Sequence, residues 1–131
     1  MSLGKLTGCA PILLVASAKE ASRFYHEKLG FKVVQLYDDP INFAILTRDE
    51  CTLFLSQAKD SKDIVPYHKL VHNMWNVYFY VSDVEAIYDE FKAKNVPIDY
   101  GIESKDYGMK EFGIQDLDGY DIAFAEPLNK T

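Results

Sequence analysis

Several things are scarce in this 131-residue chain, and each scarcity narrows what it can be. There are two cysteines, Cys9 and Cys51, without metal-ligand spacing. A disulfide framework is therefore not expected, and a reducing cytoplasm is the expected setting. Basic residues never cluster, with 14 Lys and Arg scattered singly against 20 Asp and Glu for a net charge of −6. Nucleic acid and anionic membrane are thus not expected as partners, while a cationic small molecule would be steered favourably. No apolar stretch approaches the ~20 residues that cross a bilayer. One segment imitates a signal peptide: Lys5, the apolar run Cys9 to Ala18, an A-x-A-like Ala16-Ser17-Ala18, and Leu6-Thr7-Gly8-Cys9 as a lipoprotein-like box. It lacks the charged leader such a signal needs, and it reads better as a first strand.

What the chain does have is a repeat. Ser17-Ala18-Lys19-Glu20 and Ser82-Asp83-Val84-Glu85 read as two capping boxes, each between an apolar strand-like run and a helical pattern, at an offset of 65 residues. At the same offset Gly30 matches Asn95, the residue types that most easily take a left-handed helix-ending conformation, and Phe31 matches Val96. Further on the offset becomes 69, aligning Phe43-Ala44-Ile45 with Phe112-Gly113-Ile114 and Phe54 with Ala123. A duplicated β-α-β-β-β unit is the simplest reading. With 48% hydrophobic and 26% charged residues, one domain over 1–131 is expected, with module one at 10–57, a linker at 58–73 and module two at 74–126.

Pattern and turn signals predict strands at 11–16, 31–37, 41–47, 51–57, 75–81, 97–102, 109–115 and 120–125, with helices at 18–29 and 83–94. The 16-residue connection from Ala58 to Asn73 is too long for a plain turn and reads as a linker or a functional lid. Strand alternation then separates two faces. Ile12, Leu14, Ala16, Leu53, Leu55, Val77, Phe79, Val81, Ile122 and Phe124 form an apolar set expected beneath the helices. The opposite set holds Pro11, Leu13, Val15, Thr52, Phe54, Ser56, Asn76, Tyr78, Tyr80, Asp121, Ala123 and Ala125, a mixture of aromatic and polar groups suited to a small-molecule site.

The stretch from Ser17 through Phe24-Tyr25 to Lys28-Leu29-Gly30-Phe31, with Phe112-Gly113-Ile114-Gln115-Asp116-Leu117-Asp118-Gly119, resembles the glyoxalase / bleomycin-resistance / extradiol-dioxygenase superfamily, the vicinal oxygen chelate proteins. The resemblance runs from about Pro11 to Glu126. It implies an α+β fold of two β-α-β-β-β modules forming a U-shaped mixed sheet around a cavity, helices on the outer face, often completed by a second subunit. The superfamily's enzymes place metal ligands on the cavity face of each module's first and last strands, and here those positions fall on Pro11, Phe54, Asn76 and Ala123. None is a histidine or carboxylate, whereas a catalytic divalent metal needs about three nitrogen or oxygen ligands. The resemblance therefore favours the metal-free, bleomycin-resistance-like branch, which sequesters a drug without reacting with it.

The expectation is a cytoplasmic homodimer with no cofactor and no metal, binding a small, possibly cationic aromatic molecule rather than catalysing a reaction. Its ligand contacts are expected among Phe54, Trp75, Asn76, Tyr78, Tyr80, Tyr107, Glu111 and Asp121. Aromatic faces stack on planar ligands and attract cations, Glu111 and Asp121 add negative charge, and the Tyr107-Gly108 loop is placed to cover a ligand. The alternative is a divergent lyase or isomerase with a displaced metal site at His72, Asn76 and Glu111, or with a metal-free acid–base pair. A third reading is an interaction domain whose cavity is filled by its own side chains. His68 and His72, four apart, would share a face only in a helical segment. His26 reads as a helix-surface residue and Cys51 as core.

Overall fold

A computed structural model describes residues 3–129, so the expected domain extends two residues beyond it at each end. The chain forms β1 (Ile12–Val15), α1 (Ala18–Leu29), β2 (Lys32–Tyr37), β3 (Phe43–Arg48) and β4 (Cys51–Gln57), then β5 (Val77–Tyr80), α2 (Val84–Ala93), β6 (Ile98–Ser104), β7 (Met109–Gln115) and β8 (Asp121–Pro127). The expected duplicated α+β architecture is present as two four-stranded mixed sheets, ordered β1-β4-β3-β2 and β5-β8-β7-β6. In each, the first strand pairs parallel to the last and the remaining pairs are antiparallel. Each helix packs on its own module's sheet. Leu13, Val15, Leu46, Leu53 and Leu55 in module one join Val77, Phe79, Phe112, Ile114, Ile122 and Phe124 in module two to form a shared core.

Helix ends explain one error in the sequence alignment. Ser17 caps α1 by accepting from the Glu20 N–H, but the cap of α2 is Asp83, accepting from Ala86 N–H, not Ser82. Equivalent caps are thus 66 residues apart, while the left-handed helix ends Gly30 (φ 74°) and Asn95 (φ 58°) keep the expected 65. The longer α1 absorbs the difference, having 12 residues against 10.

That one-residue slip inverts the expected faces of β1. Leu13 (3% exposed) and Val15 (0%) are core, while Ile12 is 63% exposed. The register agrees, since Leu13 pairs with buried Leu55 and Ile12 with Phe54. Leu14 and Ala16 likewise leave the core set. Pro11 falls on the Leu13 side by alternation, so the counterpart of Asn76 is Ala10, which also lacks a donor side chain. The offset between β3 and β7 slips similarly: Ala44 and Phe112 are the equivalent buried residues, paired with Leu55 and Phe124. The faces expected for β4, β5 and β8 agree with the structure.

The two resemblance motifs meet at the module junction. Tyr25, from the end of α1, donates its hydroxyl to Asp116 Oδ2 at 2.7 Å. Asp118 Oδ1 accepts from Ala16 N–H at 2.9 Å, and the Tyr120 hydroxyl donates to the Leu14 carbonyl. The Asp116–Gly119 turn thereby clamps the β1–α1 corner. Burial pushes the Asp116 carboxyl up to about 6, against the opposing hydrogen bonds from Tyr25 and the Asp118 and Tyr120 N–H groups. Across the same junction Arg48 forms a two-pronged ion pair with Glu90, both contacts 2.8 Å, and donates to the Leu29 carbonyl.

Candidate functional site

The face of each sheet turned away from the helices can be read row by row from the register. In module one the rows are Ile12–Phe54–Ile45–Gln35 and Leu14–Ser56–Phe43–Tyr37. In module two they are Tyr78–Ala123–Gly113–Tyr100 and Tyr80–Ala125–Glu111–Glu103. Module two therefore has the small residues Ala123, Gly113 and Ala125 between Tyr78, Tyr80 and Tyr100, with Glu111 and Glu103 completing the second row, so that aromatic rings fold over a low floor and the Tyr100 ring lies on Gly113. Module one fills the equivalent floor with Phe54, Ile45 and Phe43, the Phe43 ring packing on Phe54 at a centroid distance of 5.5 Å and on Tyr37 at 5.7 Å.

Above this floor, whose Gly113, Ala123 and Ala125 are buried and line neither cavity, Trp75, Tyr78, Tyr80, Tyr107 and Met109 line an open shelf of about 550 Å³. Trp75 meets Tyr78 edge-to-face at 4.7 Å and Tyr78 meets Tyr80 at 5.5 Å. Beside the shelf lies a groove of about 530 Å³ in which Trp75 and Tyr107 recur, joined by Tyr100, Glu111, Asp99, Glu103 and Asp121. Trp75 and Tyr107 are thus walls common to both. Burial and the charge of Asp121 raise the Asp99 carboxyl above its ordinary range.

Beneath the aromatic walls sits Glu111, fully buried. Its carboxylate accepts three tyrosine hydroxyls: Tyr78 at 2.9 Å, Tyr100 at 2.5 Å and Tyr107 at 2.5 Å. Trp75 Nε1–H in turn donates to the Tyr100 oxygen at 2.9 Å. Burial, and then the bond to Glu111, raises all three tyrosine hydroxyls well above their ordinary value. They are held protonated and cannot serve as bases or nucleophiles near neutrality. Tyr107 is consequently anchored inward, within a turn closed by a Gly108 N–H bond to the Lys105 carbonyl at 3.1 Å.

Of the expected contacts, Trp75, Tyr78, Tyr80, Tyr107, Glu111 and Asp121 come together on module two. Asp121 accepts from Gln115 Nε2 at 2.9 Å. Phe54 lies instead on the other module's open face. Asn76 is engaged with the connection, its Oδ1 accepting from Tyr67 N–H at 2.9 Å. His72 is exposed and lines neither cavity, and His68 contacts the Gly119 carbonyl at 2.8 Å. Among the described residues no three His, Cys, Asp or Glu are grouped to hold a metal. The trio His72, Asn76 and Glu111 finds no common point here, because the carboxylate is sealed by hydroxyls and the amide oxygen is already bonded.

Tyr100 escaped the sequence reading for a physical reason. Register shifts on both sides of it break the alternation of β6, so that Tyr100 faces the cavity although Ile98, two residues earlier, pairs with buried Ile114. Gly113 was the available signal, since a lone glycine inside a strand marks a close approach. A Cβ there would stand 2.2 Å from the Tyr100 ring.

A third space, about 320 Å³, lies between the modules beside Phe31, Phe79, Phe124, Arg48 and Cys51. Its only cation, Arg48, is already committed to Glu90 and Leu29. The thiols of Cys9 and Cys51 are both free. Burial raises Cys51, which argues against a reactive thiolate there.

The chain belongs to the Glyoxalase/Bleomycin resistance protein/Dioxygenase superfamily, whose model matches residues 6–124. Among solved structures it is similar to TioX from Micromonospora sp. ML1 (18% identity, TM-score 0.74, covering 92% of this chain and 98% of that one). It is similar also to the bleomycin-binding protein of Streptomyces verticillus complexed with copper(II)-bleomycin (22%, 0.71, 93% and 97%). A third is TnmS3, an antibiotic binding protein from Streptomyces sp. CB03234 (17%, 0.71, 97% and 98%). At these identities the likeness establishes the fold. No curated protein matches the chain. No described helix is long and apolar enough to cross a membrane.

Proposed function

We propose that this protein is a metal-free binder of the bleomycin-resistance type, sequestering a cationic aromatic small molecule on the open face of module two. The observation that carries this reading is the open shelf lined by Trp75, Tyr78, Tyr80 and Tyr107, with the buried Glu111 carboxylate behind the rings. Stacked aromatic faces attract planar cations, and the attraction strengthens where water is excluded. Two of the similar structures, by their descriptions, bind bleomycin and an antibiotic, which supports a binder over an enzyme.

The binder works as a homodimer in this reading. Ile12 is 63% exposed and Tyr37 43%, beside half-buried Phe43, Ile45 and Phe54, an apolar face broad enough to demand a cover. A second copy laid there would enclose the open shelf and bring a Phe54-bearing wall to the tyrosines. The test combines three measurements on protein purified without chelator: Trp75 fluorescence titrated with planar aromatic cations, sedimentation at micromolar concentration, and elemental analysis. Saturable quenching by a dimer with far less than one transition metal per chain is expected. Near one zinc, nickel, manganese or iron per chain overturns the metal-free reading, and a monomer overturns the dimer.

A further inference from the structure

A tyrosine hydroxyl carries one proton, and an ionised carboxylate can only accept. Glu111 takes the hydroxyl protons of Tyr78, Tyr100 and Tyr107, and the Trp75 indole proton is spent on the Tyr100 oxygen. What these groups leave to a visitor is of one kind: ring faces, which are electron-rich, and the lone pairs of the Tyr78 and Tyr107 oxygens. Lys and Arg are absent from the shelf lining. Lys105 lines the adjoining groove instead, where it donates to Glu103 at 2.5 Å and lies 5.1 Å over the Tyr100 ring. Tyr80 is the exception, its hydroxyl unengaged and its side chain 72% exposed at the rim.

We propose that Glu111 is a specificity-determining positioning residue that leaves the inner wall of this shelf, behind the Tyr80 rim, with acceptors only, selecting aromatic ligands whose polar edge is a protonated N–H donor. The inference rests on the binding reading above and adds the polarity of the ligand to it. An aromatic carboxylate or phenolate seated against the inner wall would face lone pairs and a buried negative charge, with the Tyr80 hydroxyl at the rim as the shelf's one unengaged hydroxyl donor, a desolvation loss. A protonated amino-aromatic satisfies the oxygens and gains the cation–π attraction together. Glu111 need not touch the ligand. Its effect passes through the direction in which three hydroxyl protons point, and through the fixed orientation of the rings that carry them.

Three acridines of similar shape test this at mildly alkaline pH: proflavine, cationic with N–H donors; N-methylacridinium, cationic without them; and neutral acridine. Wild-type protein is expected to bind proflavine best and acridine worst, the ends differing by at least about tenfold. Glu111→Gln keeps the shape but supplies amide N–H groups, so at least one tyrosine must turn its proton outward. The proflavine-to-acridine ratio should then fall to within about twofold, with a changed near-ultraviolet circular dichroism from the released rings. Should that variant not fold, Tyr107→Phe, at a half-exposed ring, removes one outward lone pair. It should shrink the advantage of proflavine over N-methylacridinium while leaving that of N-methylacridinium over acridine. Equal wild-type affinity for all three acridines overturns this inference and leaves the binder reading standing. An unchanged ratio in Glu111→Gln, or in Tyr107→Phe where it is the variant used, does the same. Binding of none of the three overturns both.

Discussion

The two modules share one backbone plan and differ in what fills the middle of the open face. Where module one has Phe54 and Ile45 in the central row, module two has Ala123 and Gly113, and where module one ends that row with Ile12 and Gln35, module two ends it with Tyr78 and Tyr100. Bulk has moved from the floor to the walls. The same β-α-β-β-β unit thus yields a bulky apolar face in one copy and, in the other, a low floor over which tyrosine rings fold beneath an open shelf. The comparison teaches that a site in a duplicated fold can be located by where the repeats disagree in side-chain volume, because the backbone is held constant.

The comparison breaks most severely if the equivalent core positions are not equivalent. Phe79 stacks on Phe124 at 5.4 Å and meets Phe31 at 5.9 Å, and the register makes Leu13 its counterpart in module one. Phe79→Ala is expected to destabilise the domain by about 3–5 kcal/mol and Leu13→Ala by about 2–5 kcal/mol, each through a cavity in the shared core. Ile12→Ala, on the exposed side of β1, should change stability by no more than about 1 kcal/mol. Urea unfolding measures all three. An Ile12 variant more damaging than the Leu13 variant would restore the 65-residue alignment and cancel the rows on which the site is drawn.

That alignment shows where the sequence was legible and where it was not. Order and type of the elements followed from caps, glycine turns and apolar runs, because those signals are local. Faces were legible wherever a strand alternates without interruption, as in β4, β5 and β8. They failed at β1, because Ser82 sits one residue before Asp83 and both are good helix caps, so sequence alone cannot choose between them. Tyr100 was lost to the register shifts of β6. The convergence of hydroxyls on Glu111 was lost for a deeper reason: it joins residues 78, 100, 107 and 111 from β5, β6, β7 and the turn before β7, and no spacing rule connects them.

The junction between modules is sharpened by pH. Asp116 is raised from an ordinary 3.8 to about 6 by burial. A carboxyl with a folded value above its unfolded one binds its proton more tightly in the native state. Its stabilising contribution is full below about 4 and is lost as pH rises through about 6, a change of about 3 kcal/mol. Thermal unfolding followed between pH ~4 and ~7 should show this decline, and Asp116→Asn should flatten it. A wild-type curve that rises over the same interval would mean that the hydrogen bonds from Tyr25, Asp118 and Tyr120 outweigh burial.

Exchanging the floors tests the volume argument directly. Ala123→Phe gives module two the residue that module one has at the matching position, and should displace the Tyr78 and Tyr100 rings beside it in the row. Overpacking of this kind costs about 1–3 kcal/mol in stability. The variant should remain folded while planar cations cease to quench Trp75. If it still binds them with unchanged affinity, the ligand face is not this one.

The smallest effect on folding, and the most informative on binding, is expected at Tyr80. Its ring stands at the rim of the shelf, 72% exposed, touching Tyr78 edge-on at 5.5 Å and making no hydroxyl bond to Glu111. Removal leaves the core and the carboxylate network intact, so Tyr80→Ala should move unfolding free energy by no more than about 0.5 kcal/mol. An aromatic anchor closed over a ligand is worth more than that, and the same variant should weaken binding of a planar cation by about 1–3 kcal/mol in a fluorescence titration. The equivalent position in module one is Leu14, on the face that carries no hollow, and Leu14→Ala serves as the matched control, expected to leave ligand affinity in one isolated chain unaltered. Because the dimer proposed above brings the two faces together, the control separates the hypotheses: affinity lost in both variants would place a second copy's module-one face in the site, whereas loss in Tyr80→Ala alone would confine recognition to module two. If neither variant affects binding while both fold normally, the aromatic shelf is not where the ligand sits.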